Sequence, residues 1–115
     1  MPRQRPRIYL RTFRRKAGLT QSELGALVGV SKKTISKYEL EERKPSANLI
    51  LACEIIFDAR ASAVFPFFCK AIQDVLGARA LALHDRLQGR TDEYSRRKLA
   101  MLAELPLRTA DIRDV

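Results

Sequence analysis

Residues 20–45, TQSELGALVGVSKKTISKYELEERKP, leave this chain little freedom of fold. Thr20 stands three residues before Glu23, the spacing of a capping box, in which each side chain satisfies a backbone amide of the other residue, and Leu19 can pack over that turn against Leu24 as a staple. The helix that starts there runs to about Val28. Gly25 is small on the face where a neighbouring helix approaches, and Gly29 supplies the positive φ that turns the chain within three or four residues. Ser31 then caps a further helix, which turns Ile35 and Tyr38 inward and Lys32, Lys33, Ser36 and Lys37 outward.

Periodicity places the remaining elements around this pair. Ile8, Tyr9, Leu10, Phe13 and Ala17 fall on one helical stripe, Arg11, Arg14, Arg15 and Lys16 face elsewhere, and Gly18 stops the helix. Residues 41–45 form a polar connection, after which Ser46 caps a fourth helix with Leu49, Ile50, Ala52, Cys53, Ile56 and Phe57 on a broad apolar face. Between residues 61 and 106, Phe65, Phe68, Ile72, Leu76, Ala80, Leu83 and Leu87 recur every three or four positions, which gives one long amphipathic helix or two broken near Gly77, with Pro66 in the first turn. After Gly89, Thr91 caps a last helix with Asp92 and Glu93 in its first turn, Leu99, Leu102 and Leu105 on one face, and Pro106 as the stop. No strand-period alternation of useful length occurs, so the expected class is all-α. The expected layout is a disordered basic arm over 1–7, a helix-turn-helix domain over 8–65, a C-terminal helical dimerisation region over 66–106 and a loose tail over 107–115.

Charge narrows the partners. Of the net +9, residues 1–60 supply +7, with 13 basic and 6 acidic side chains, while residues 61–115 hold 9 and 7. Such a concentration favours polyanions, because each Lys or Arg that neutralises a phosphate releases a condensed counterion. A ribosome-like or membrane-surface partner has the same sign, so charge alone selects no polymer. What selects one is the short polar helix with cationic side chains near its start, braced by an apolar helix, a shape that fits a DNA major groove.

Enzymatic and metal chemistry find no footing. Two cysteines and one histidine give neither a zinc ligand set nor a disulfide framework, and Cys53 and Cys69 are expected as reduced, buried thiols. His84 goes to packing or surface. Adjacent carboxylates, Asp92 with Glu93 and Glu41 with Glu42, point apart and have no nucleophile beside them. No glycine-rich phosphate loop or serine elbow is present, so neither a catalytic residue nor a cofactor is expected. The longest purely apolar run, residues 49–53, is far below spanning length, and the expected location is cytoplasmic.

With the motif placed, residues from about Leu10 to Phe65 resemble the phage-repressor type of helix-turn-helix domain, the Cro-like or xenobiotic-response-element-like family of transcriptional regulators. The stretches that carry the likeness are LRTFRRKAGL, LTQSELG, VGVSKKTISKYE, RKPS and LILACEIIFD. The resemblance implies a lambda-repressor-like fold and phosphate contacts from Gln21 and Ser31. It turns Lys32, Lys33 and Lys37 to base edges, where a lysine suits the O6 and N7 acceptors of guanine, with Thr34 or Ser36 adding a hydroxyl or methyl contact. Arg43 and Lys44 continue the phosphate contacts. By the same likeness Arg14 pairs with Glu39, bracing the first helix against the end of the third. Leu40 and Glu41 replace the asparagine and glycine usual in the family, so that either Glu41 adopts a left-handed conformation or the helix runs on by a turn. Glu41 and Glu42 also place negative charge near the phosphate path, which implies moderate affinity unless a second subunit contributes.

The function expected from the resemblance is a regulator of transcription, a repressor, that places residues 32–39 in the major groove of a double-stranded operator as a homodimer. The arm with Arg3, Arg5 and Arg7 either enters a minor groove or is an ordinary disordered terminus. The alternative is an antitoxin-type interaction module, in which residues 61–106 bind a partner protein and DNA binding is autoregulatory.

Overall fold

The computed structural model describes residues 8–113, so the arm expected over 1–7 lies outside the described residues. Within them the structure is helical, with no strand. The elements are α1 (Leu10–Lys16), α2 (Gln21–Val28), α3 (Lys32–Glu39), α4 (Ala47–Phe57), α5 (Ala61–Val64), α6 (Pro66–Leu87) and α7 (Glu93–Arg113). The chain divides into two compact units, one ending at Cys69 and the other beginning at Lys70.

In the first unit, each start of α2, α3 and α4 is set by a side-chain cap. Thr20 Oγ1 accepts from the Glu23 amide at 3.1 Å and Glu23 Oε1 accepts from the Thr20 amide at 2.9 Å. Ser31 and Ser46 each accept from the amide three residues on, Thr34 and Leu49, at 3.1 Å. These bonds satisfy amides that have no partner inside the helix. The α2 to α3 turn depends on two glycines. Gly29 takes φ +91°, and the Gly25 carbonyl accepts from both Gly29 and Val30 amides at 2.8 and 2.9 Å. A Cβ at Gly25 would lie 2.6 Å from the Val30 carbonyl oxygen. What requires the small residue is therefore the backbone of the turn itself and not a neighbouring helix.

The core of this unit joins Leu10, Leu24, Val28, Ile35, Tyr38, Leu49, Cys53, Val64 and Phe65, with Phe13, Leu19 and Phe57 packed against it. The Phe13 and Phe57 rings are tilted at 5.7 Å between centroids. Ala17, expected on the apolar stripe of α1, is exposed where the helix ends, and Arg14, expected on the polar side, is buried. The Tyr9 amide donates to the Val64 carbonyl at 2.8 Å, tying the entry of α1 to the end of α5.

The C-terminal half differs from its sequence reading in four ways. Residues 61–106 form three helices: the chain breaks at Phe65, because the residue before a proline avoids helical backbone, and α6 then starts at Pro66 and passes Gly77 without interruption. The cap of α7 is Asp92 and not Thr91, its Oδ2 accepting from the Ser95 amide at 3.1 Å and its Oδ1 from the Ser95 hydroxyl at 2.7 Å. Carboxylate and hydroxyl are both good caps, and the one adjacent to Glu93 wins. Pro106 does not stop α7, which continues to Arg113 through the segment expected as a loose tail. The exposed Arg108 to Glu104 pair, 3.0 Å, spans the proline but contributes only a few tenths of a kcal/mol, against about 3 for an interior proline, so local pairing does not offset it.

The fourth difference concerns which face of α6 is buried. Ile72 and Leu76, the centre of the apolar stripe read from the sequence, are exposed, as is Val75. The buried positions are Gln73 and Ala80, seven apart, and α7 repeats that spacing with Ser95 and Leu102. Of the stripe read from the sequence, Ala80 is buried and Leu83 and Leu87 are half-buried, so the periodicity holds in the second half of α6 and fails at Ile72 and Leu76.

Candidate nucleic-acid interface

One carboxylate organises the helices that present α3. Glu39, at the last residue of α3, receives Arg14 Nε on Oε2 at 2.7 Å and Arg14 Nη2 on Oε1 at 3.2 Å, a two-pronged pair. Gln21, the first residue of α2, donates from Nε2 to the same Oε1 at 3.0 Å. Arg14 completes its set by donating from Nη1 to the Leu19 carbonyl at 2.9 Å. The Arg14 and Glu39 side chains are 10% and 4% exposed, and no buried side-chain polar atom among the described residues lacks a partner. Hydrogen bonding to Glu39 holds the Arg14 pKa above its ordinary value, against the opposing effect of burial. Ends of α1, α2 and α3 thus meet at a satisfied ionic cluster, which fixes the angle at which α3 is offered.

On the outward side of α3, Lys32, Lys33 and Lys37 are exposed, and no ion pair among the described residues engages them. Lys33 lies opposite Ile35 and Tyr38 on the helix, with Lys37 one turn further along the same face. Ser36 shares its side with Lys32. Thr34 is half-buried and its Oγ1 lies 3.0 Å from Ser31 Oγ, so these two hydroxyls belong to the start of the helix. Gln21 is committed to Glu39 by one amide proton and keeps the other, a geometry that serves the helix junction first.

Past α3, Glu41 takes φ +59°. Its amide donates to Tyr38 and that of Glu42 to Lys37, at 3.2 and 2.9 Å, closing a Schellman motif that α1 also uses at Gly18. Of the two alternatives the sequence left open, the left-handed residue is the one adopted. Arg43 follows with its guanidinium 5.8 Å from the Tyr38 ring centroid, a cation–π contact that holds it against α3, and Lys44 is exposed beside it. Nothing in the helical pattern of α3 signals that contact, which lies beyond the left-handed turn at Glu41.

Arg11 and Arg15 face away from the apolar stripe of α1, and the sequence assigns them no role. They line a cleft of about 660 Å³ together with Lys32 and Ser36 and the start of α2. Their spacing of four residues on one helix was the available signal.

Residues 10–61 match the sequence profile of the helix-turn-helix family. A protein of Archaeoglobus fulgidus described as an uncharacterized HTH-type transcriptional regulator is 39% identical over 61 residues, which cover 53% of this chain and 87% of that one. The chain belongs to the helix-turn-helix family of transcriptional regulators. No solved structure matches it. As a helix-turn-helix protein it falls among DNA-binding regulators and not among enzymes. Burial pushes the Cys53 thiol up to about 12 and raises that of Cys69, which is half-buried and not fully buried as expected, so neither is a thiolate at neutral pH. Among the described residues no group of three or more His, Cys, Asp or Glu side chains could hold a metal ion, and no helix is long and apolar enough to cross a membrane.

Proposed function

We infer that this helix-turn-helix protein is a repressor that seats α3 in the major groove of an operator as a homodimer. The observation that carries the reading is the unpaired cationic face of Lys33 and Lys37 on a helix whose angle is locked by Arg14 and Glu39. Lys33 and Lys37 reach base edges, Ser31, Arg43 and Lys44 hold phosphates, and Lys32, Ser36 and Gln21 border the groove. Thr34 contributes through its methyl group, its hydroxyl being taken up at the cap. Occupancy of promoter DNA then blocks transcription.

Dimerisation through the C-terminal region is supported by the exposed stripe Ile72, Val75 and Leu76 on α6, with half-buried Phe68 one turn earlier. A single helix-turn-helix reads roughly half of a two-fold operator, whose half-sites lie about one DNA turn apart. The same stripe supports the second reading, an antitoxin-type module whose C-terminal helices cover a partner protein. Selection of bound duplexes from a random pool, with sedimentation of the free chain, tests both. A two-fold consensus and a dimer are expected; a monomer that sediments as a pair only with a different co-purified protein would favour the second reading.

A further inference from the structure

We propose that Arg11 and Arg15 of α1, with Lys32 of α3, form a second phosphodiester clamp that grips the DNA backbone flanking the groove occupied by α3. This rests on the major-groove reading of α3 and extends it to a face of α1 that the motif does not assign.

The three cations are exposed, stand around one cleft, and have no carboxylate partner among the described residues. The cleft does contain a carboxylate, Glu39, but Arg14 takes both of its oxygens and Gln21 adds a third donor, so it offers no compensating charge to the other three. Three positive charges with no carboxylate partner around a single concavity make a local positive potential that attracts a polyanion. The start of α2 opens onto the same cleft through Thr20, Gln21 and Ser22. The Thr20 and Glu23 amides are used up in the capping box, whereas those of Gln21 and Ser22 have no acceptor inside the helix. Together these supply an oxyanion with side-chain charge from α1 and α3 and backbone donors from α2.

Position decides the source of the phosphate. Lys32 borders the cleft and also begins α3, one residue before Lys33, so a duplex that receives α3 in its groove brings its sugar-phosphate edge to this opening. A phosphate chain running past can meet Arg11 and Arg15 in succession, because residues four apart on a helix stand one above the other, about 6 Å apart along the axis.

The test is binding of the full chain to a mixed-sequence duplex across a salt series, for wild type, Arg11→Ala, Arg15→Ala and the double variant, with thermal melting alongside. Both arginines are exposed, so melting is expected to stay unchanged. The slope of log affinity against log salt should become shallower by about one for each arginine removed, and Lys replacements should restore it. On a duplex selected by the wild type, the preferred sequence should not change. An unaltered slope in the double variant would overturn the clamp while leaving the α3 reading intact. A changed sequence preference would overturn it too, making the arginines base readers. A wild-type chain with no salt-dependent duplex binding would overturn both.

Discussion

Arg14 shows how a charged side chain can be the most structural residue on its helix. Periodicity assigns it to the polar side of α1, since a guanidinium has no place in an apolar stripe, yet burial is tolerated once Glu39 and the Leu19 carbonyl take up its donors. The partner lies 25 residues away in sequence, so local pattern could not reveal it, and only likeness to a known motif did. Arg14→Ala leaves the Glu39 carboxylate almost enclosed with Gln21 as its remaining side-chain donor, and the expected loss is about 2 to 4 kcal/mol of folding stability. Denaturant unfolding measures it; a stable variant would remove the bracing role. Lys33 and Lys37 stand at the opposite extreme, exposed and structurally idle, so Lys33→Ala and Lys37→Ala should leave melting unchanged and cost about 1 to 3 kcal/mol each on a selected duplex if they read bases. Titration against selected and random duplexes separates the roles, because equal losses on both identify phosphate contacts.

Helix ends were the most legible features of the chain, and also the place where its reading failed. Thr20, Ser31 and Ser46 cap as their spacing demands, because a hydroxyl followed by a helix-forming segment has few better uses. Thr91 lost its role to Asp92 since two capping residues in a row compete over one position. Part of the buried side of α6 escaped detection because Gln73 is polar, whereas Ala80 lies on the apolar stripe and was legible, and the Pro106 rule failed because a proline removes one helical hydrogen bond without forbidding those that follow. Glu41 is where the sequence strains against the geometry, holding φ +59° at a helix end that ordinarily favours glycine. Glu41→Gly should therefore raise stability, by about 0.5 to 1 kcal/mol, read as a shift in the urea midpoint at constant slope. The capping box of α2 gives a pH dependence of known sign. Hydrogen bonds from Thr20 hold the Glu23 carboxyl below its ordinary value of 4.5. A group depressed in the folded state contributes fully above its unfolded pKa and loses that contribution as pH falls through the folded one. Acid titration of the unfolding midpoint should thus show a decline beginning near pH 4.5 that Glu23→Gln makes shallower. Asp92, depressed chiefly by hydrogen bonding to Ser95, retains its own part of the decline in that variant.

At the scale of the whole molecule, the division at Cys69 and Lys70 separates two units that differ in their cores, although both expose large apolar side chains, Leu51 and Ile55 among them in the first. The first unit has a closed apolar core and an outward cationic helix, so its chemistry can be performed by one copy. The second has few fully buried apolar side chains, Ala80 and Leu102 among them, and leaves Ile72, Val75, Leu76, Leu81 and Met101 at 43% exposure or more. A run of that size on a small unit is apolar area in search of cover. Covering it with a second copy would bring two α3 helices to one operator, and linking two half-site contacts multiplies affinity without any new base contact. The consequence can be measured by cutting the chain after Cys69. The head fragment should remain helical and cooperative in unfolding, since the core from Leu10 to Phe65 is retained, sediment as a monomer, and bind a selected two-fold duplex with an affinity at least tenfold or so weaker than the full chain. Its binding to a single half-site should match that of the full chain, because the residues at the groove are the same. If the full chain also sediments as a monomer in the presence of the duplex, and the cut leaves affinity unchanged, the exposed stripe of α6 has some use other than pairing two copies of this protein.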